Sequence, residues 1–88
     1  PIITVVLNNG VMGGYRDRMP SARDHFGTHL LGGNYTKFAE SMGLESERIE
    51  KPNDIRRGIE AALEANRQGK SALIEIMTKE EFAFSRLI

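Results

Sequence analysis

The chain opens on an apolar run, Ile2-Ile3-Thr4-Val5-Val6-Leu7, with no polar alternation, and the run stops at Asn8-Asn9-Gly10. A strand with water on one face alternates apolar and polar side chains, so an unbroken run predicts a strand buried on both faces. Such strands belong to open α/β sheets, whose ligands bind at the carboxyl ends of the strands. The two carboxamides stand at that end. Asn-Gly between apolar stretches is also a hairpin signal, because both residues accept positive φ. Yet Val11-Met12-Gly13-Gly14-Tyr15-Arg16-Asp17-Arg18 offers glycines and charges rather than the period-two pattern of a returning strand. The competing reading is a strand-to-loop junction that presents a side-chain amide oxygen and freed backbone carbonyls to a hard cation.

Composition bounds what such a strand can be part of. The chain has 88 residues, 12 basic against 12 acidic, no cysteine and no tryptophan. It is one small domain at most. Balanced charge without interleaved aromatic and basic residues excludes a nucleic-acid binder. No apolar stretch approaches the roughly 20 residues of a membrane-spanning helix, and the first residues lack the basic segment of a signal peptide. Freedom from cysteine excludes a disulfide scaffold and fits a reducing compartment, with the cytoplasm as the expectation. A domain of this size buries only about 60 to 65 per cent of its unfolded surface, too little to cover both faces of the first strand easily. The chain also begins at Pro1 with its strand entered at once. Both features lead us to expect a piece of a larger protein, whose other parts cover the strand.

The connection from about Gly10 to Gly33 holds six of the nine glycines, together with Pro20, Arg16, Asp17, Arg18, Arg23 and Asp24. A loop this long in a compact domain is functional, disordered or hides a short helix. A helix over Tyr35 to Met42 follows, with Asn34 as N-cap and Gly43 as its left-handed stop. Tyr35, Phe38, Ala39 and Met42 fall at i, i+3, i+4 and i+7 and predict its core face. Ser46 to Ile49 reads as a short edge strand, since Glu47, Arg48 and Glu50 surround Ile49. A second helix starts near Pro52 and Asp54, carries Ile55, Ile59, Ala62 and Leu63 as its stripe, and ends at Gly69. Ser71 to Met77 is the third strand, and Phe82 and Phe84 suggest a helical turn in the tail. Strands alternating with helices predict parallel pairing through right-handed crossovers.

These pieces in this order resemble the C-terminal part of the cofactor-binding domain of thiamine diphosphate-dependent enzymes, closest to the acetolactate synthase-like group. The residues that carry the resemblance are Ile2 to Asn9, Tyr35-Thr36-Lys37-Phe38-Ala39-Glu40-Ser41-Met42-Gly43, the helix after Pro52, and Gly69-Lys70-Ser71-Ala72-Leu73-Ile74-Glu75-Ile76. The resemblance implies a small parallel-sheet fragment of a doubly wound thiamine diphosphate-binding domain. It also implies a cofactor-binding loop of Asn9, Gly10, Val11, Met12 and Gly13. There the Asn9 side-chain oxygen and the Val11 carbonyl would be magnesium ligands, and Asn8 would support the turn. Magnesium takes near-octahedral oxygen ligands, and neutral amide and carbonyl oxygens suit a shell whose charge comes from diphosphate and a carboxylate. The family's motif opens with Gly-Asp-Gly, whose Asp is that carboxylate. This chain has only the closing half, and the glutamate that activates the cofactor in the family belongs to another domain. The parent would then act on 2-oxo acids, by acetolactate synthase-like carboligation or decarboxylation, as a homo-oligomer, while this chain alone would be inactive and holds no catalytic residue. An inactive α/β assembly module and an oxalyl-CoA decarboxylase-like enzyme are the alternatives.

Other constellations carry less. His25 and His29 are four apart, but Gly27 separates them and no third ligand is in view, so they read as loop residues rather than a zinc site. Gly69-Lys70-Ser71 spells the end of a phosphate loop but precedes a strand, so it reads as a helix stop. Arg16, Arg18 and Arg23 are interleaved with Asp17 and Asp24 and read as a solvated loop, with anion binding as the alternative. Ser21 lacks a paired histidine and acid.

Overall fold

The structure, a computed structural model, describes residues 1–12 and 18–80. The chain divides into two compact units, one of Pro1–Asn8 with Gly33–Thr78 and one of Asn9–Gly32 with Lys79–Ile88.

The first unit is a three-stranded parallel sheet in the order β1-β3-β2, with β1 at Ile3–Asn8, β2 at Glu45–Ile49 and β3 at Ala72–Met77. Ile3 stands beside Ala72 and Asn8 beside Met77, while Glu45 to Ile49 run beside Ala72 to Ile76. Helix α2, Tyr35–Ser41, leads into β2, and helix α3, Ile55–Arg67, returns the chain to β3. The path crosses from β1 over to β2 and then comes back to the middle. Crossovers of one hand that reverse direction must place their helices on opposite faces. The side chains agree: α3 packs on the face of Ala72, Ile74 and Ile49, while Thr36 of α2 meets Glu75 on the other. The doubly wound arrangement read from the sequence is therefore present.

The core cluster is Ile49, Ala62, Ala65, Ala72 and Ile74, with Ile3, Ile55 and Ile76 packed at its border. Each fully buried isoleucine contributes about 1.5 to 3 kcal/mol relative to exposure. Small side chains on α3 let it lie close to the sheet, and Gly58 is the tightest point: a Cβ there would come within 2.5 Å of Ile49 Cδ1. Helices α2 and α3 both stop as the glycines indicate. After α2 the Gly43 and Leu44 N–H groups donate to the Glu40 and Ala39 carbonyls, and after α3 Gly69 and Lys70 donate to Asn66 and Ala65. Each is a Schellman turn, with its glycine at positive φ. Helix α3 begins through a 3₁₀ turn at Pro52–Asp54, and neither Lys51 nor Asp54 makes a side-chain cap.

Two burial expectations are corrected. In α2 only Ala39 of the predicted apolar face is core; Thr36 is the other buried residue, while Phe38 is 64% exposed and Met42 is equally open. The reason is rotational: Thr36 is tied to the sheet by polar bonds, which turns the aromatic side outward. In β1, Val5 is 52% and Leu7 69% exposed, since β1 is an edge among the described residues and α3 packs mainly over β3 and β2. The strand buried on both faces is β3, where Ala72, Ile74 and Glu75 are all buried.

In the second unit, the long connection contains a short helix, α1, at Pro20–Phe26, begun by the proline and closed by Gly27 at φ 60°. Val11 and Leu30 form an isolated antiparallel bridge. Among the described residues no hairpin follows β1, whose partner is β3. The tail around Phe82 and Phe84 lies outside the described residues, as do Gly13, Arg16 and Asp17.

Candidate functional site

At the carboxyl end of the sheet a carboxylate is shut away from water. Glu75 sits on the central strand with no exposed surface, and β3 aims it at the face covered by α2. Asn8 Nδ2 donates to its Oε2 at 2.6 Å. The Thr36 N–H and hydroxyl donate to its Oε1 at 3.2 and 2.9 Å. Arg48 Nε, from the neighbouring position on β2, lies 3.6 Å from Oε1. All of these partners are donors, which an ionised carboxylate satisfies and a protonated one does not. Burial pushes the Glu75 carboxyl up, but the hydrogen bonds from Asn8 and from the Thr36 side chain and backbone, with the Arg48 charge, outweigh it and hold it below its ordinary value. Glu75 also takes one of the first-turn N–H groups that a helix leaves unpaired, while Asn34 Oδ1 takes another, from Lys37, at 2.9 Å. Ser46 donates to the Thr36 carbonyl at 3.0 Å and pins the same turn to β2.

Sequence reasoning passed over Glu75. The signal was there: one acid inside Ala72-Leu73-Ile74-Glu75-Ile76 marks a buried charge, which is retained only when it is paired.

In the second unit, Asn9 and the residues after it form a tight turn. Asn9 Oδ1 accepts from the Val11 N–H at 3.2 Å, and Gly10 at φ 74° takes the left-handed conformation that lets the chain fold back on that oxygen. The Leu31 N–H donates to the Gly10 carbonyl at 2.9 Å, and the Met12 N–H donates to the His29 carbonyl at 2.8 Å. These two bonds hold the segment against 29–31 while the Val11 carbonyl accepts no hydrogen bond from the described residues. Among the described residues, the turn thus has a half-buried carboxamide oxygen that accepts one hydrogen bond and a carbonyl oxygen that accepts none. Neutral hard oxygens of this kind fit magnesium as a partial ligand set. No cluster of three His, Cys, Asp or Glu able to hold a metal occurs among the described residues, so the charge of a complete shell has to come from outside this turn.

Asn8 and Asn9 therefore do separate work. Asn8 faces the buried carboxylate, and Asn9 closes its own turn. Met12 is partly exposed beside the turn. His25 lies in the last turn of α1, a helix rather than a loop position, with its ring tilted against that of Phe26 and centroids 6.2 Å apart, while His29 Nδ1 is buried with no partner among the described residues. Arg23 pairs with its neighbour Asp24 at 2.9 Å, but both stand in α1 rather than in the loop the sequence suggested. Ser21 lies in α1. Gly69 stops α3, and the Ser71 hydroxyl accepts from the Ile2 N–H at 3.0 Å, so Gly69-Lys70-Ser71 is structural. A groove of about 250 Å³ runs between α3 and the amino-terminal halves of β2 and β3, lined by Glu45, Glu47, Arg57 and Gly58. It lies at the end of the sheet away from the carboxyl termini, where this architecture does not place ligands.

Searches of the curated proteins and of the solved structures gave no match. The family model described as thiamine pyrophosphate enzyme, C-terminal TPP binding domain, matches residues 1–76. That span takes in both carboxamides, the Thr36 to Glu75 network, α2, α3 and all three strands of the first unit but for Met77 at the end of β3, and the chain accordingly belongs to this family of thiamine diphosphate-binding domains.

Proposed function

We propose that this chain is the closing half of a magnesium and thiamine diphosphate site in an acetolactate synthase-like enzyme acting on 2-oxo acids. The observation that supports it is the Asn9 turn, which offers a carboxamide oxygen and the Val11 carbonyl within three residues, directly after a parallel strand. Asn9 and Val11 would hold the metal, and Gly10, Met12 and Gly13 would lie along the diphosphate, where glycine lets backbone approach closely. When bound, the cofactor would supply a thiazolium ring able to add to the substrate carbonyl and to act as an electron sink. This chain's own contribution is to bind and orient. The Asn9 oxygen is preset by the Val11 N–H, which lowers the cost of ordering it at the metal. The upstream carboxylate and the glutamate that activates the cofactor would come from other parts of a homo-oligomeric parent in a reducing compartment such as the cytoplasm.

The test is calorimetric titration of thiamine diphosphate with magnesium into the natural full-length protein. Binding that Asn9→Ala abolishes, and that Asn8→Ala weakens by a smaller factor, is expected. Equal and negligible effects of both substitutions would remove Asn9 from the site. A second reading, an α/β assembly module without chemistry, draws on the open outer edge and exposed Val5 and Leu7 of β1. Absence of cofactor binding by the full-length protein would favour it.

A further inference from the structure

The buried carboxylate has no part in the site just proposed, yet it is tied to the residue that directly precedes Asn9 in the chain. Glu75 Oε2 holds the side chain of Asn8, the last residue of β1, and Asn8 shares a peptide bond with Asn9. Its other oxygen holds the first turn of α2 through two donors on Thr36, and the Arg48 guanidinium lies beside it. One carboxylate thus joins β1, α2 and β2 to the central strand. A core needs no charge for that purpose, since apolar residues of similar volume serve stability as well or better. A buried charge does what an apolar residue does not: it specifies the direction of each carboxamide and N–H that meets it.

We infer that Glu75 is a positioning residue for the metal-binding turn, acting through Asn8. The carboxylate requires the NH₂ group of Asn8 toward itself, which sets the rotation of that side chain and the backbone from which Asn9 departs. The coupling runs along the chain, through the Asn8 to Asn9 peptide. Replacing Glu75 by glutamine turns one of its two oxygens into a donor. If that amide group faces Asn8, the Asn8 side chain must turn its own oxygen inward to keep a hydrogen bond; if it faces Thr36, the N–H there loses its acceptor. Either way the set of four donors converging on Glu75 is no longer matched. The inference rests on the metal and cofactor reading above.

The experiment uses the natural full-length protein as wild type, Glu75→Gln, Asn8→Ala, Asn9→Ala and Ile49→Ala. The last lies in the cluster on the opposite sheet face and serves as a pure loss of packing. Two quantities are measured: thermal unfolding without ligand, and calorimetric affinity for thiamine diphosphate over a magnesium series. Glu75→Gln and Asn8→Ala should each raise the magnesium required for half-saturation by about tenfold, the usual effect of removing a group that orients a metal ligand. Ile49→Ala should lower the unfolding temperature without moving the magnesium requirement. If Glu75→Gln does not fold, Asn8→Ala decides, because it cuts the same link and leaves the carboxylate with its other partners. Variants that unfold earlier but keep the wild-type magnesium requirement overturn the inference while Asn9→Ala still abolishes binding. A wild-type protein that binds no cofactor overturns the metal reading and this inference together.

Discussion

Glu75 carries a charge where water does not reach, and that makes it the residue whose protonation the fold feels most directly. Its carboxyl is held below its ordinary value of 4.5, so the folded state binds this proton more weakly than the unfolded chain does. Stability from the network is then complete above that value. As pH falls through 4.5 the unfolded chain takes up the proton first, and the contribution drains away until the lowered folded-state value is passed. We expect unfolding experiments on the full-length protein between about pH 6 and pH 3 to show a steeper acid loss in wild type than in Glu75→Gln. The variant should be less stable by about 1 to 3 kcal/mol near neutrality, the cost of leaving buried donors unmatched. Equal acid slopes would mean that Glu75 is not ionised in the fold. Glu64 is also held low, through hydrogen bonds from Arg67 and Gln68, but it stands in solvent and its loss should leave stability unchanged. At this scale the sequence is unevenly legible. Asn34 and Gly43 were legible because capping is local chemistry, whereas Asn8 and Glu75 lie 67 positions apart and meet only across the sheet.

The helices show how far periodicity reaches. Helix α2 is seven residues long, too short to hold itself in water, and it exists because its ends are satisfied. Asn34→Ala should therefore destabilise the first unit by about 1 kcal/mol, with Asn34→Asp restoring most of it, as thermal unfolding of the full-length protein would show. Its spacing marked an apolar face of Tyr35, Phe38, Ala39 and Met42, but the side that docks is Thr36 and Ala39. Apolar periodicity locates an amphipathic helix without saying which of two adjoining faces meets the sheet, and here the polar bonds of Thr36 decided. In α3 the predicted stripe was half right: Ala62 is core and Ile55 borders it, while Gly58 and Ala65 replace Ile59 and Leu63 as the contact line. Gly58 is the point where α3 comes closest. Gly58→Ala adds a methyl against Ile49 Cδ1, an overpacking cost of about 1 to 3 kcal/mol set against the gain of about 1 kcal/mol in helix propensity. We expect a net loss in the wild-type background. In an Ile49→Val background, which removes that Cδ1, the same substitution should become neutral or stabilising. Additive effects in the double variant would show that the two residues do not meet.

At the scale of the molecule, the first unit leaves β1 open. Ile2, Val5 and Leu7 are exposed, and among the described residues β1 has a neighbour on one side only. An unpaired edge with an apolar face is a template for association. The 88-residue chain by itself should gain mass with concentration in light scattering, and Leu7→Lys should suppress that gain; a monomer across a wide concentration range would contradict the prediction. No helix among the described residues is long and apolar enough to cross a membrane. The sequence by itself determined the alternation of the strands with α2 and α3, the Asn34 cap and the glycine stops of those helices, the parallel α/β class and the place of the carboxamides at a strand end. Each of these follows from propensities and spacings within a few residues of chain. Tertiary structure alone decided that β3 rather than β1 takes the centre, which helix faces dock, and that Glu75 gathers Asn8, Thr36 and Arg48. Those outcomes depend on which distant segments meet, and burial and hydrogen-bond satisfaction are properties of the meeting rather than of either segment.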